Sequence, residues 1–492
     1  METHTTKGIG KIALQGGLKM LVSQGVKLFV QIASIVVLAR LVTPEDFGLV
    51  AFLTSIFAFV GLFSEFGLTM AIVQKEQIQE KDLNTLFRIS ASIGMLLLLC
   101  IGVAGLVTAW ISGDARYKWI FGIIAVMFFF KSLSTVPQGL IRRRLQFGFL
   151  SLQEAGAFLF GALAAVAIAT QGCGILALMA FQLIPGLLMC TSSWIFSGWR
   201  PLRSAGSIQE ASSYFSFGGA FTLVEIANTV CKHIDNLLIG KVWGMELLGQ
   251  YTRAYALMLA PLNQVMGPIG AVLVPLFSRI HQNEAEFKKL TLALFISLVG
   301  LTAPAAAFLI VCSNTIVNLL LGSGWETAEK IFWWFGFAVF CKPLGCLVYW
   351  VFVSCGKMKQ MMRWTISNTI LTVIAISAGI PFGPIRVAAF FSVSEIVMQI
   401  SLAIYFLGKT KLIDGVRWFK VYVFGQALLG FSYALLQAVK SYLVANSLGG
   451  NAQMSVLACL AMGLSGVVVL ANSESRGFVK FCMKSILRIG PA

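Results

Sequence analysis

The feature that most constrains this chain is a long series of apolar runs, each near the length of a membrane span, joined by links too short to fold. An α-helix needs roughly 20 mostly apolar residues to cross the ~30 Å hydrocarbon layer of a bilayer. Fourteen such runs fall at 16–42, 46–73, 88–111, 118–141, 149–171, 174–197, 213–240, 248–278, 290–312, 328–353, 362–380, 384–407, 418–443 and 451–473. The longest link between runs is about fifteen residues, which leaves no room for a soluble domain. Lipid offers no partner to a bare peptide group, so each run is expected to close its hydrogen bonds internally as a helix. Composition agrees. Of 492 residues 58% are hydrophobic and only 12% charged, with a mean hydropathy of +0.85, against about 45–50% and 25% in soluble proteins. The expected fold class is an all-α polytopic membrane protein of about 14 transmembrane helices.

The net charge of +17 is arranged for a membrane, not for nucleic acid. Basic residues stand in short clusters between the apolar runs, with no aromatic and basic platform in a water-exposed segment, so no nucleic-acid partner is expected. Placing the N-terminus in the cytoplasm puts 24 of the 37 Lys and Arg residues on inner segments and only five on outer ones. Positive-inside bias then predicts both termini in the cytoplasm. The N-terminus has no short apolar core with a cleavage site, and the first run carries Lys19 and Lys27, so it is expected to be retained as a helix.

Enzyme chemistry finds little to work with. The ten cysteines form no CxxC pair or framework spacing, and read as small polarizable packing residues. His4, His233 and His281 share no local spacing, so no metal site is expected. The run Ala403–Thr410 ends in Gly408-Lys409-Thr410 but lacks the first glycine of a phosphate loop. It reads as a helix end followed by a basic loop. Catalytic residues, metals and cofactors are all expected to be absent.

A repeat organises the helices. Leu38-Ala-Arg-Leu-Val-Thr-Pro-Glu-Asp-Phe-Gly48 returns 201 residues later as Ile239-Gly-Lys-Val-Trp-Gly-Met-Glu-Leu-Leu-Gly249. Each copy joins the first and second helix of a six-helix block. An even number of spans separates the copies, so the repeat is parallel, with a pseudo-two-fold axis along the membrane normal.

Polar residues at membrane depth mark where water or substrate must reach, because a charge there costs a few kcal/mol. Lys19, Ser23, Lys27, Gln31 and Ser34 form a stripe about 120° wide on the first helix. Glu225, Asn228, Lys232, Asp235 and Asn236 form one of about 100° on the seventh. A polar cavity between two lobes would hydrate both. Lys19 could instead snorkel to headgroups, and Lys232 with Asp235 could form a local ion pair. Lys131, Arg253 and Lys342 are further cationic candidates. Glu65, Glu225, Asp235 and Glu395 are carboxylates at depth, with Glu154 nearer the inner surface. Such a group can take a proton or Na⁺, or simply partner a lysine.

Several motifs together carry a family resemblance. Leu38–Val50, Phe63-Ser-Glu-Phe-Gly-Leu68 and Ile72-Val-Gln74 resemble the first two helices of bacterial polysaccharide transporters. The second half is similar through Asp235-Asn-Leu-Leu-Ile-Gly240, Leu248–Tyr255, Pro268–Arg279 and Leu321-Gly-Ser-Gly-Trp325. Nearly the whole chain resembles the Wzx-type flippases of the multidrug/oligosaccharidyl-lipid/polysaccharide superfamily, most like the colanic acid exporter branch. The resemblance implies a cytoplasmic segment 1–15, an N-lobe 16–207 and a C-lobe 208–407 around a central cavity, then helices 13–14 (408–473) and a basic tail 474–492. It implies flipping of an undecaprenyl-diphosphate-linked oligosaccharide by alternating access. Lys19, Lys27, Lys131, Lys232 and Arg253 are the candidates for binding the substrate. Glu65, Glu225 and Asp235 are those for coupling to Na⁺ or H⁺. Membrane lipids, a polysaccharide polymerase and export machinery are the implied partners. Two alternatives stay open: a cation-coupled small-molecule exporter of the same superfamily, and a membrane polysaccharide polymerase or ligase. Lysines in the cavity disfavour cationic drugs, and short, nearly uncharged outer links disfavour an enzyme of the outer face.

Overall fold

The computed structural model describes residues 25–65, 68–69, 72, 78–144, 146–201, 226, 229–446 and 449–471, and holds no β-strand among them. Its helices follow the apolar runs. They are α1 (25–41), α2 (Pro44–Glu65), α3 (Glu80–Ser112), α4 (Arg116–Arg143), α5 (Phe147–Ala169), α6 (Gly174–Ser197) and α7 (229–243). After these come α8 (Met245–Ile280), α9 (Glu284–Val311), α10 (Glu326–Ser354), α11 (Met358–Gly379), α12 (Pro384–Gly408), α13 (Gly415–Ala445) and α14 (Gly450–Ala471). Eleven helices among the described residues are long and apolar enough to cross a membrane. The link before α10 is not bare: it carries a short helix, Ser313–Leu320, and then buries Trp325.

Local chemistry sets several ends. Pro44 opens α2, with Thr43 Oγ1 accepting from the Asp46 N–H at 3.3 Å and two acidic residues in the first turn. Acidic side chains there complement the positive helix N-terminus. Gly113 closes α3 in the left-handed region at φ 67°, a conformation that costs glycine nothing. The arginine run at the end of α4 is put to structural use. Arg143 donates to the Ile72 carbonyl and Arg144 to the Ser197 carbonyl, both at 3.0 Å.

The chain forms two compact units, residues 1–252 and 253–492. The expected lobe boundary at 207/208 lies outside the described residues. In the first unit small residues let helices approach closely, as is usual in membranes. Gly94 of α3 lies against Ser132 of α4, and Gly161 of α5 against Pro185 of α6. The two repeat copies meet here as well. A Cβ at Gly48 would run into the Met245 carbonyl, and one at Gly249 into the Pro44 carbonyl. This exchange is reciprocal, because residue 44 maps to 245 and 48 to 249 under the 201-residue offset.

In the second unit α9 is the most buried span. Phe295 stacks on Trp418 of α13 at 4.3 Å, Gly425 of α13 packs on Val299 and Phe340, and Gly300 on Val468 of α14. Midway along α12 the helix widens into a π turn, Glu395–Gln399. Such turns displace a peptide group from the regular ladder. The Ile396 carbonyl there accepts from Tyr422 Oη and from Gln426 Nε2, both on α13.

Candidate functional site

Lys27 is the substrate-binding candidate whose surroundings are most informative. On α1 its side chain is 17% exposed and forms an ion pair with Glu154 of α5. Its ammonium also lies 4.9 Å from the centre of the Phe158 ring, one turn beyond Glu154. A carboxylate and an aromatic face together stabilise a cation that lipid would penalise. Ser34, further along the stripe, turns its hydroxyl back onto the Val30 carbonyl at 2.6 Å.

The α7 stripe builds a second cluster in the same unit. Asp235 is buried, and one carboxylate oxygen accepts from Tyr251 Oη at 3.0 Å, the other from the Asn236 N–H at 2.8 Å. The local Lys232–Asp235 pair is absent among the described residues, and Lys232 is exposed. Among the described residues Asp235 therefore carries hydrogen bonds and no cationic partner. Beside it, Asn236 Nδ2 donates to Ser55 Oγ of α2 at 3.0 Å, and His233 Nδ1 lies 3.1 Å from the same oxygen.

The remaining sequence candidates are dispersed. Lys131 is exposed on α4, and Arg253 is half-buried on α8. Lys19 and Glu225 lie outside the described residues, as does the side chain of Glu65, whose backbone ends α2. Among the described residues Lys27 and Asp235 share no direct partner.

The second unit holds a pair the sequence presented only as isolated charges. Lys342 of α10 donates to Glu395 of α12 at 2.6 Å, and its ammonium lies 5.1 Å from the Phe391 ring centre. Glu395 opens the π turn, and Gln399 at its far end donates to Thr372 and Ser394 at 3.2 and 3.0 Å. A lysine–glutamate–phenylalanine grouping is thus found in each unit among the described residues. Among the described residues no cluster of His, Cys, Asp and Glu is suited to a metal. Sequence reasoning missed Ser55, His233 and Tyr251 as site residues. Only the helical spacing of His233 with Asn236, three apart on the same stripe, hinted at them.

Long apolar helices, carrying a buried aspartate and two lysine–glutamate pairs among the described residues, define a polytopic α-helical membrane protein. Within that class the chain belongs to the polysaccharide biosynthesis protein family, which it matches over residues 37–330. Among its relatives is the succinoglycan biosynthesis transport protein ExoT of Rhizobium meliloti, 26% identical over 298 residues. That match spans 60% of this chain and 60% of ExoT, less than two thirds of the relative's length. The lipopolysaccharide biosynthesis protein WzxC of Escherichia coli is 22% identical over 350 residues, 70% of each chain. The fold is that of the lipid II flippase MurJ in its inward closed conformation, with a TM-score of 0.68 and 15% identity over 92% of this chain and 98% of that one.

Proposed function

We propose that this protein flips undecaprenyl-diphosphate-linked oligosaccharide repeat units from the inner to the outer leaflet of a bacterial inner membrane, for exopolysaccharide or lipopolysaccharide synthesis. The observation that carries the reading is a polysaccharide biosynthesis family combined with the fold of a lipid II flippase. Relatives named for succinoglycan transport and lipopolysaccharide biosynthesis support it.

In this reading residues 16–207 rock against 208–407 around a central cavity of parallel symmetry. The diphosphate leaves water for that cavity while the polyprenyl tail stays in lipid. Lys27 meets it, and the phosphate oxygens displace Glu154 from the ammonium, one anion exchanged for another. The ammonium is already out of bulk water, so the exchange proceeds without a fresh desolvation cost of the cation. Lys19, Lys131, Lys232 and Arg253 add positive potential along the route. Asp235, buried and with no cation beside it among the described residues, takes up H⁺ or Na⁺ and links movement to an ion gradient, with Glu65 and Glu225 as the other coupling candidates. A polysaccharide polymerase and export machinery would receive the product.

The test is to delete the gene in its host and fractionate lipid-linked sugars by leaflet. Accumulation of the repeat unit on the cytoplasmic side, with polymer lost, is expected, and its mass identifies the sugar. Accumulation on the outer side would instead indicate a polymerase or ligase, and unchanged lipids with intact polymer would overturn the polysaccharide reading.

A further inference from the structure

We propose that a basic groove between the ends of α9, α12 and α13 binds an anionic glycerophospholipid, its headgroup phosphate on Lys409 and Lys411 and an acyl chain along the apolar wall below. The groove has a volume of about 1020 Å³ and lies entirely within the second unit. It forms because α12 and α13 meet almost in contact where the chain turns between them. A Cβ at Gly408 would stand 3.4 Å from the Gly415 Cα, and the reverse distance is the same. The turn between these glycines carries both lysines, with Lys411 in the left-handed region at φ 62°. This is the Gly408-Lys409-Thr410 run whose sequence only superficially resembles a phosphate loop.

The lining is amphipathic in the sense a lipid requires. Tyr405 (53% exposed), Val416 (68%) and Phe419 (47%) present apolar surface on the spans themselves. Lys409 and Lys411 are both exposed at the level where those spans end. The two acidic residues of the lining are already engaged. Glu284 pairs with Lys288 at 2.5 Å, and Asp414 caps α13 by accepting from the Arg417 N–H at 3.1 Å. Lys409 lies 4.4 Å from the Tyr405 ring centre, and neither it nor Lys411 has a carboxylate within ion-pair distance among the described residues. Basic pockets between membrane helices on the positively charged side attract anionic headgroups. The exposed apolar wall distinguishes a whole phospholipid from a soluble phosphate, which would gain nothing from it.

The full-length protein purified in detergent would be offered phosphatidylglycerol, phosphatidylcholine of the same acyl chains, and glycerol 3-phosphate, with retention read by native mass spectrometry and by the unfolding temperature. Phosphatidylglycerol is expected to be retained and to raise the unfolding temperature, with phosphatidylcholine weaker and glycerol 3-phosphate without effect. Lys409→Gln with Lys411→Gln should weaken phosphatidylglycerol binding about 25-fold, at about fivefold per lysine. Lys409→Arg with Lys411→Arg should keep it, and guards against a glutamine variant that fails to fold. Equal retention of both lipids by the wild-type protein, full stabilisation by glycerol 3-phosphate alone, or undiminished phosphatidylglycerol binding by the folded glutamine variant would each overturn the proposal.

Discussion

Gly48 and Gly249, equivalent positions of the internal repeat, each face the backbone carbonyl of the residue that opens the other's helix. Gly48 of α2 faces Met245, and Gly249 of α8 faces Pro44. Backbone cannot rotate away as a side chain can, so a methyl group at either position must push the helices apart. Gly48→Ala or Gly249→Ala is expected to destabilise the protein by about 1–3 kcal/mol, the usual range for overpacking. Gly102→Ala on α3, where nothing lies within 4 Å of the added Cβ, should be neutral. Thermal unfolding in detergent by fluorescence-detected chromatography checks this, and equal behaviour of all three variants would remove the close approach.

Lys27 and Glu154 separate a substrate role from a structural one. On the proposed reading, Lys27→Met should lower transport at least tenfold, because the diphosphate loses a cation and Glu154 loses its partner. Glu154→Gln keeps the ammonium and removes its competitor, so binding of undecaprenyl diphosphate should tighten. The swap Lys27→Glu with Glu154→Lys rebuilds the ion pair but moves the cation to α5. Polymer production and cytoplasmic accumulation of lipid-linked sugar provide the readout. Full activity of the swap would show that the pair serves folding alone.

Much of the architecture was legible in the primary structure because lipid imposes one rule on every span. Apolar runs such as 290–312 and 328–353 became α9 and α10 within a few residues, and the link at 313–325 differed only by folding a short helix of its own. The repeat was legible because close packing at Gly48 and Gly249 tolerates no side chain. Periodicity singled out Lys27 on α1 and Asp235 on α7, but not their partners. Lys27 and Glu154 are 127 positions apart, and no local spacing announces such a meeting. Lys232 with Asp235, three apart, offered the local solution, yet Asp235 is held by Tyr251 from the next helix. The π turn at Glu395 has no sequence signal, since it arises where α13 offers Tyr422 and Gln426 to a displaced carbonyl.

Lys342 and Glu395 should govern the stability of the second unit. Glu395 is only 5% exposed, so Lys342→Met leaves a buried carboxylate with no counter-charge, a loss of about 3–5 kcal/mol. Replacing both, Lys342→Met with Glu395→Met, removes the orphaned charge and should recover most of that loss. Tyr422→Phe, which takes one of two donors from the Ile396 carbonyl and leaves it Gln426, should cost about 0.5–1.5 kcal/mol. Chemical unfolding of the purified variants measures all three. A double variant as unstable as Lys342→Met alone would mean that packing, and not the unpaired charge, sets the cost.

Asp235 offers the sharpest test of ion coupling. Asparagine at this position keeps one acceptor oxygen for the Asn236 N–H and can donate its Nδ2 to Tyr251 Oη, but neither ionises nor takes up a proton, so Asp235→Asn should fold with little change in unfolding temperature. Wild-type flipping in reconstituted vesicles is expected to fall when an ionophore collapses the H⁺ or Na⁺ gradient. The asparagine variant should be slow with or without that gradient. Tyr251→Phe keeps the carboxylate and removes one donor to it, so it should retain gradient dependence at reduced rate. If Asp235→Asn stays fast and ionophore-sensitive, coupling belongs to another carboxylate, with Glu65 and Glu225 next to be substituted.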